Sequence, residues 1–191
     1  GSLTKINIPE KIKTLQSNAF AGCRSLKEIT LSEGLQLIMS SAFSGTAIES
    51  IHLPDSLKEI QCCAFEGCEQ LKEINLASSH VELIDCGAFY NCVLLEEVIL
   101  PNTLLTLGSN AFSNCSFLKR VYIPASVLEI GSLPFKDCPL LTTIDVDKNN
   151  KIYLHREDNA AIVDHNGYLL FTIKDTIDND IKYIGTGVFA N

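Results

Sequence analysis

Eight cysteines are the most reactive residues of this 191-residue chain, and four histidines accompany them. In the stretch AFEGC, at 64–68, Cys68 follows an acidic residue and a glycine, a setting that suits a reactive thiol. A cysteine nucleophile needs a positioned base and a lowered pKa, and zinc needs several converging ligands. A disulfide needs a second thiol nearby, and the remaining role for a cysteine is packing. The spacing of the cysteines along the chain helps to distinguish these roles.

The AFEGC block is one of a series. Related blocks lie at 18–23, 41–46, 63–68, 87–92, 110–115 and 133–138. Their phenylalanines follow one another at intervals of 22 to 24 residues: Phe20, Phe43, Phe65, Phe89, Phe112 and Phe135. A fixed period of this length is typical of a solenoid, in which each unit buries its apolar face against the next. We number these units one to six by their phenylalanines.

Five of the eight cysteines share one position of the unit, three residues after the phenylalanine: Cys23, Cys68, Cys92, Cys115 and Cys138. Thr46 takes this position in unit two, so a small side chain is sufficient there. Residues at one repeat position stack roughly 5 Å apart, and buried free cysteine suits such a column of small, weakly donating side chains. We therefore predict that these thiols pack in the interior, where they lack the base and the lowered pKa of a nucleophile.

Cys62, Cys63 and Cys86 lie outside this column. Cys62 and Cys86 each precede their phenylalanine by three residues in neighbouring units, so we expect them to lie close together. Their separation is compatible with a disulfide, but the parallel direction of their Cβ vectors opposes one, and both alternatives stay open. Zinc is not favoured, because no C-x-x-C pair occurs and the histidines are scattered among the units. We expect no cofactor and no catalytic centre.

Short strands are predicted between the blocks. An apolar–x–apolar triplet begins about nine residues after each phenylalanine, as in ITL at 29–31 and VYI at 121–123. The alternation predicts a half-buried strand whose middle residue faces solvent. In four of the seven triplets a proline follows, where it ends the strand without removing a needed donor.

Composition excludes several classes of function. Hydrophobic residues make up 46% of the chain, which is ordinary for a soluble globular protein. The net charge of -8 argues against nucleic acid as a partner, because binding the phosphate backbone needs clustered Lys and Arg. No apolar run approaches the roughly 20 residues of a membrane-spanning helix, so we expect no direct membrane insertion.

Taken together, the positions give the unit L-x-x-I-x-L-P-x-x-L-x-x-I-x-x-x-A-F-x-x-C over about residues 3–146. This pattern resembles the Treponema-type leucine-rich repeats of the BspA-like family, which are about 23 residues long. The resemblance implies an α/β or mainly β solenoid, a right-handed superhelix with a parallel sheet of short strands on its concave side. It also implies an extracellular or cell-surface protein that takes part in adhesion to host matrix proteins or to other microbes.

The repeat pattern changes after Val146. Two apolar runs within 160–173 flank Asn166-Gly167, which is a strong signal for a hairpin, and IKYIGTGVF at 181–189 returns to the repeat with Phe189 at the phenylalanine position. Such hairpins interrupt other BspA-like proteins, so we expect one solenoid over 1–191. Its parts are repeats at about 3–146, a hairpin insertion at about 147–180 and a partial repeat at 181–191. Because no polar cap is visible, we expect a fragment of a longer protein, unless the hairpin itself caps the stack.

The predicted binding surface is formed by the middle residues of the triplets and the residues just before them. Ile99, Tyr122 and Arg120 bring two apolar side chains and a guanidinium together, and such anchors dominate many interfaces. The surface comprises Glu28, Thr30, His52, Glu73, Asn75, Glu97, Ile99, Arg120, Tyr122 and Asp145. The loop at 165–168 is a second candidate, since insertions in solenoids often carry binding.

These observations favour a non-enzymatic cell-surface or secreted protein that binds a protein or glycoprotein partner. One alternative is a structural spacer, a stalk of repeats that holds another domain away from the cell and binds nothing itself. A further alternative is a hydrolase whose catalytic domain lies outside this chain.

Overall fold

A computed structural model describes residues 2–155, 161–164, 167–172 and 181–185 of the chain. Within these ranges the backbone forms short β-strands and a single 3-10 helix, with no α-helix. The solenoid is therefore of the mainly β class. Each repeat unit contributes two strands, one from its triplet and one from the segment just before its phenylalanine.

The triplet strands alternate with the second set along the chain and carry odd numbers. They are β1 (Lys5–Asn7), β3 (Glu28–Thr30), β5 (Ser50–Ile51), β7 (Glu73–Ile74), β9 (Glu97–Ile99), β11 (Arg120–Ile123) and β13 (Thr143–Val146). All of their pairings are parallel and in register, as the resemblance implied. The strands form three separate sheets, however, with the orders β1-β3, β5-β7 and β9-β11-β13.

The pairing of β5 with β7 ends after two residues, and the chain leaves the strand conformation beyond β7. After β7 the chain turns into the 3-10 helix Leu76–Ser78. The Asn75 side chain occupies the edge of the preceding unit, where its Oδ1 accepts from Leu53 N at 2.6 Å and its Nδ2 donates to Leu53 O at 3.2 Å. A side-chain amide thus supplies both of the hydrogen bonds that a neighbouring strand would offer Leu53.

The second set forms one continuous parallel sheet of six two-residue strands, which the sequence analysis did not recognise as strands. They are β2 (Thr14–Leu15), β4 (Leu37–Ile38), β6 (Glu59–Ile60), β8 (Leu83–Ile84), β10 (Thr106–Leu107) and β12 (Glu129–Ile130). In each strand the second residue is buried and the first is at least partly exposed. This sheet runs through all six units without a break.

The phenylalanines form a ladder through the core. Five successive ring pairs from Phe20 to Phe135 are stacked, with centroids 5.0 to 6.1 Å apart. Beyond Phe135 the next ring is Phe171, which meets it edge-on at 5.8 Å and 78°. Phe189, the predicted continuation of the ladder, lies outside the described residues.

Backbone hydrogen bonds connect the units at the ladder. The amide of each of the first five ladder phenylalanines donates to the carbonyl of the residue before the next phenylalanine, as from Phe20 to Ala42 and from Phe89 to Ala111, both at 2.8 Å. Pro134 stands at the alanine position of unit six, and its carbonyl accepts from Phe112 at the same distance. Proline lacks only the amide hydrogen, so the connection between units is kept.

Each block turns the chain through left-handed backbone conformations. The second residue after the phenylalanine has positive φ in all six units, for example 67° at Gly67 and 60° at Asn91. Glycine and asparagine tolerate this region better than other residues, which explains their recurrence at this position. The residue two before the phenylalanine is also left-handed, with φ of 57° at Cys63.

The predicted hairpin is confirmed and belongs to a larger sheet. Strands β14 (Tyr153–His155), β15 (Ala161–Asp164) and β16 (Tyr168–Thr172) are antiparallel, and β17 (Tyr183–Ile184) pairs parallel with β16. Gly167 N donates to Asp164 O at 3.0 Å across the turn, while residues 165–166 lie outside the described residues. The Tyr153 hydroxyl accepts from Ile130 N at 3.0 Å, so this sheet packs on the end of the six-stranded sheet.

Candidate functional site

The triplet strands present two rows of exposed or half-exposed side chains, on either side of a row that points into the core. We call this surface the triplet face and define it by the ten residues predicted from the sequence to bind a partner. Glu97, Arg120 and Thr143 lie in one row, and Ile99, Tyr122 and Asp145 lie in the next. Residues of different units are therefore brought side by side on β9, β11 and β13.

Ile99 and Tyr122 are the apolar centre of the triplet face. Ile99 is 42% exposed, which is a large fraction for an isoleucine on a strand with buried neighbours on both sides. Tyr122 is half-buried beside it, and its hydroxyl donates to Asp147 Oδ2 at 2.7 Å. This hydrogen bond to a carboxylate, together with partial burial, raises the pKa of Tyr122 to about 12. The phenol is therefore neutral and its ring is held in one orientation at ordinary pH.

Arg120 lies at the edge of this apolar centre. Its Nε donates to Oδ2 of Asp145, on the neighbouring strand β13, at 3.3 Å. The side chain remains 58% exposed, so the pair is screened by water and contributes little to stability. The guanidinium is oriented and still accessible to a partner.

The other half of the triplet face is polar. His52, Glu73 and Asn75 line a shallow groove of about 340 Å³, together with Ser50, Ile51 and Ile74. Asn75 is engaged with Leu53, whereas His52 and Glu73 are exposed. Glu28 and Thr30 are also exposed on β3, and Lys5 Nζ lies 2.6 Å from Glu28 Oε2. This half offers hydrogen-bonding groups without an apolar anchor.

Two features of the surface were missed at the sequence level. Asp147, which orients Tyr122, was assigned to the insertion, although it stands two residues after Asp145 and continues the alternation of β13.

The second feature is a groove of about 600 Å³ away from the triplet strands, between Arg24, Glu66 and Tyr90. It lies beside Thr46 and Ala47, where unit two is one residue short. The missing residue shortens the interval between Phe43 and Phe65 to 22 residues, which is visible in the sequence. The groove beside it was not predicted from that interval.

The column cysteines pack as small buried side chains. Four thiols donate to a phenylalanine carbonyl of the preceding unit: Cys68 to Phe43, Cys92 to Phe65, Cys115 to Phe89 and Cys138 to Phe112, at 3.2 to 3.4 Å. Cys23, in unit one, is only half-buried. Burial raises the pKa of Cys92 well above its ordinary value, so the thiol stays protonated. All eight cysteines are free, and the column offers no activated nucleophile.

The loop at 165–168 falls largely outside the described residues, so the structure does not place it as a site. Across the part of the chain that is described, no helix has the length and apolar character needed to cross a membrane. The triplet face is thus the surface on which the predicted residues are brought together.

The repeat pattern and its stacked units can be compared with known proteins. The sequence matches the family described as BspA type Leucine rich repeat region in six copies, over residues 1–92 and 36–156. The chain belongs to this family. A search of curated proteins finds no match. Folds of this family are generally non-enzymatic and serve protein interaction.

Solved structures share the fold. The pneumococcal vaccine antigen PcpA is 25% identical with a TM-score of 0.61, and the match covers 97% of this chain and 42% of that protein. The leucine-rich repeat protein of T. pallidum is 26% identical with a TM-score of 0.60, covering 74% and 79%. A leucine-rich cell surface protein from Faecalibacterium prausnitzii is 25% identical with a TM-score of 0.56, covering 88% and 45%. The chain therefore spans less than half the length of the first and third of these relatives.

Proposed function

We propose that this chain is a non-enzymatic, cell-surface or secreted repeat protein that binds a protein or glycoprotein through its triplet face. The observation that carries the proposal is the apolar centre of that face, where the exposed Ile99 lies in register beside a Tyr122 held by Asp147. An anchor that is already ordered loses little side-chain entropy on binding. Aromatic side chains and arginine are the residue types that carry most binding energy at interfaces.

The chemistry of the face favours a partner with a small apolar protrusion and nearby polar groups. Ile99 and the Tyr122 ring would cover the protrusion, and the Arg120 guanidinium would meet a carboxylate or a carbonyl at its edge. The polar half around His52 and Glu73 would add hydrogen bonds and specificity rather than most of the affinity. The net charge of -8 supports a protein or glycoprotein rather than a polyanion as this partner.

The relatives support a location outside the cell. Two of the similar structures are named a vaccine antigen and a cell surface protein, at 25% identity each. This likeness supports our proposal that the chain lies at a cell surface or in the extracellular medium, where adhesion to host or microbial proteins would be the use of the face.

Binding to a panel of host matrix and mucosal proteins, measured by biolayer interferometry, tests the proposal. Ile99→Ser and Tyr122→Ala should each lower the affinity for any bound partner by more than about tenfold, because each removes an anchor. The matched control is Leu128→Ser, which removes an aliphatic side chain that is 59% exposed and lies off the triplet face. The control should leave binding unchanged.

Two outcomes would count against this function. Binding that survives both Ile99→Ser and Tyr122→Ala would place the site elsewhere on the solenoid. No binding to any member of the panel would favour the alternative in which these repeats are a spacer between other parts of the protein.

A further inference from the structure

Two neighbouring units depart from the others at one position of the repeat. Three residues before the phenylalanine, the other four units have serine: Ser17, Ser40, Ser109 and Ser132. Units three and four have Cys62 and Cys86 there instead. The strands that precede these residues, β6 and β8, pair in register, so the two cysteines occupy equivalent places in adjacent layers of the stack. A pair of thiols has replaced a pair of hydroxyls at one point of the solenoid.

Asp85 joins the two thiols in a three-residue cluster. Cys62 Sγ donates to Asp85 Oδ2 at 3.1 Å. The other carboxylate oxygen, Oδ1, accepts from the backbone amide of Cys86 at 2.7 Å, which fixes the orientation of the carboxylate. One ligand atom from each of Cys62, Asp85 and Cys86 lies within 4.8 Å of the other two. The cluster is open to ions from solvent, because Cys86 is exposed and Cys62 and Asp85 are only half-buried.

We propose that Cys62, Asp85 and Cys86 form a binding site for a thiophilic divalent cation, with Zn²⁺ as the expected ion. Two thiolates and one carboxylate are a ligand set that zinc accepts, with water in the remaining tetrahedral position. Zinc–sulfur and zinc–oxygen bonds of about 2.3 and 2.1 Å require ligand atoms roughly 3.5–3.8 Å apart. The ligand atoms already lie within 4.8 Å of one another, so side-chain movements of about 1 Å reach that spacing.

The same geometry is unfavourable for a disulfide. A disulfide needs sulfurs about 2.05 Å apart and Cβ atoms about 3.8 Å apart. Adjacent layers are spaced at roughly 4.8 Å, and here they are held by a hydrogen bond from Cys63 N to Cys86 O at 2.9 Å. Two side chains that leave neighbouring layers in parallel directions converge on a shared ion more readily than on each other. A disulfide would also leave the oriented Asp85 carboxylate without a role.

Both cysteines must lose their protons to ligate the ion, so metal binding at this cluster releases thiol protons to solvent.

A cation at this point would hold units three and four together. It joins a residue of unit three to two residues of unit four, just after the central strands β6 and β8 of the six-stranded sheet. Because the ion binds only where the layers are stacked, it stabilises the folded chain in proportion to its affinity and concentration. The site is independent of the proposed triplet-face function, and neither proposal depends on the other.

Titration of the reduced, intact chain with Co²⁺ tests the site, since cobalt reports thiolate ligands through a sulfur-to-metal charge-transfer band. We expect this band in the wild type, and we expect one equivalent of Zn²⁺ to abolish it. Cys62→Ser and Cys86→Ser should each weaken Co²⁺ affinity by more than about 100-fold. Both changes install the residue that the other units use, so folding is preserved. The matched control is Cys63→Ser, whose wild-type thiol is a neighbour of the three-residue cluster but not a member of it, and it should keep the band.

Thermal unfolding provides a second readout that does not depend on cobalt. Excess Zn²⁺ should raise the unfolding temperature of the wild type and of Cys63→Ser, but not of the double variant Cys62→Ser/Cys86→Ser. The proposal is overturned if the reduced wild type shows no thiolate band, or if the band survives in the double variant. A Cys62–Cys86 disulfide found by mass spectrometry, combined with no metal binding by the reduced chain, would overturn it in favour of the redox alternative.

Discussion

Truncating one ring in the middle of the phenylalanine ladder should destabilise the solenoid more than truncating a ring at its end. Phe89 is fully buried and stacks on Phe65 at 5.1 Å and on Phe112 at 5.0 Å. Losing the burial of one ring costs about 1.5–3 kcal/mol, and the two ring pairs add about 0.5–1.5 kcal/mol each. We therefore expect Phe89→Ala to lower the free energy of unfolding by about 3–5 kcal/mol, the range found for buried Phe→Ala changes.

Phe20 is the matched control, since it is half-buried and has a single ring neighbour, Phe43, at 5.5 Å. Phe20→Ala should cost about half as much, because one ring pair and a smaller buried area are lost. Circular dichroism during heating is the assay, and a chain of this length loses about 2–4 °C per kcal/mol. Phe89→Ala should therefore lower the unfolding temperature by roughly 10 °C and Phe20→Ala by roughly 5 °C.

Equal losses for the two variants would refute this account of the ladder. The same conclusion would follow if Phe89→Ala lowered the unfolding temperature by less than Phe20→Ala. A broader transition in Phe89→Ala is expected, because in a repeat array each unit is stabilised by its neighbours and a defect in the middle separates two blocks.

The remaining predictions concern ionisation and thiol access. Tyr122 should ionise near pH 12 in ultraviolet titration, above the ordinary value of about 10, and Asp147→Asn should lower its pKa. Because the folded pKa is the higher one, the stabilisation from this hydrogen bond is complete below about pH 10 and is lost as the pH rises through about 12. An unchanged curve in Asp147→Asn would contradict the assignment. Without reductant or metal, a thiol reagent should label eight thiols in the denatured chain. In the folded chain the buried thiols should be protected from the reagent: Cys68, Cys92, Cys115 and Cys138.

The repeat spacing predicted the scaffold because the same physical requirement recurs in every unit. Six phenylalanines at nearly equal intervals can share one core only if the units stack, so a pattern along the chain translates directly into a solenoid. Each triplet contributes to a strand, but every strand begins one residue before its triplet, and β5 and β7 end at the first residue of theirs. The two-residue strands of the six-stranded sheet were missed, since Leu37–Ile38 and its equivalents are too short to show a period of two.

Other features depend on contacts between units, which no single unit encodes. Asn75 closes the edge of the preceding unit through Leu53, and this is visible only once the two units are adjacent. Phe171 comes from the hairpin, where its spacing differs from that of the ladder, yet it packs against Phe135. The proximity of Cys62 and Cys86 was predicted from their shared repeat position. The contribution of Asp85 was not, because glutamine, methionine or glycine stands at that position in the other units.

The hydrogen bonds between ladder phenylalanines and the carbonyls of the next unit make the solenoid modular. Units two to five each donate one amide in one direction and accept with one carbonyl in the other, at 2.8 Å, and Pro134 of unit six accepts at the same distance. A unit inserted or removed during evolution would therefore meet the same partners on both sides. Gene duplication can lengthen such a protein and enlarge its outer surface without any redesign of the interior. Natural variation in this family should then appear as changes in repeat number and surface residues.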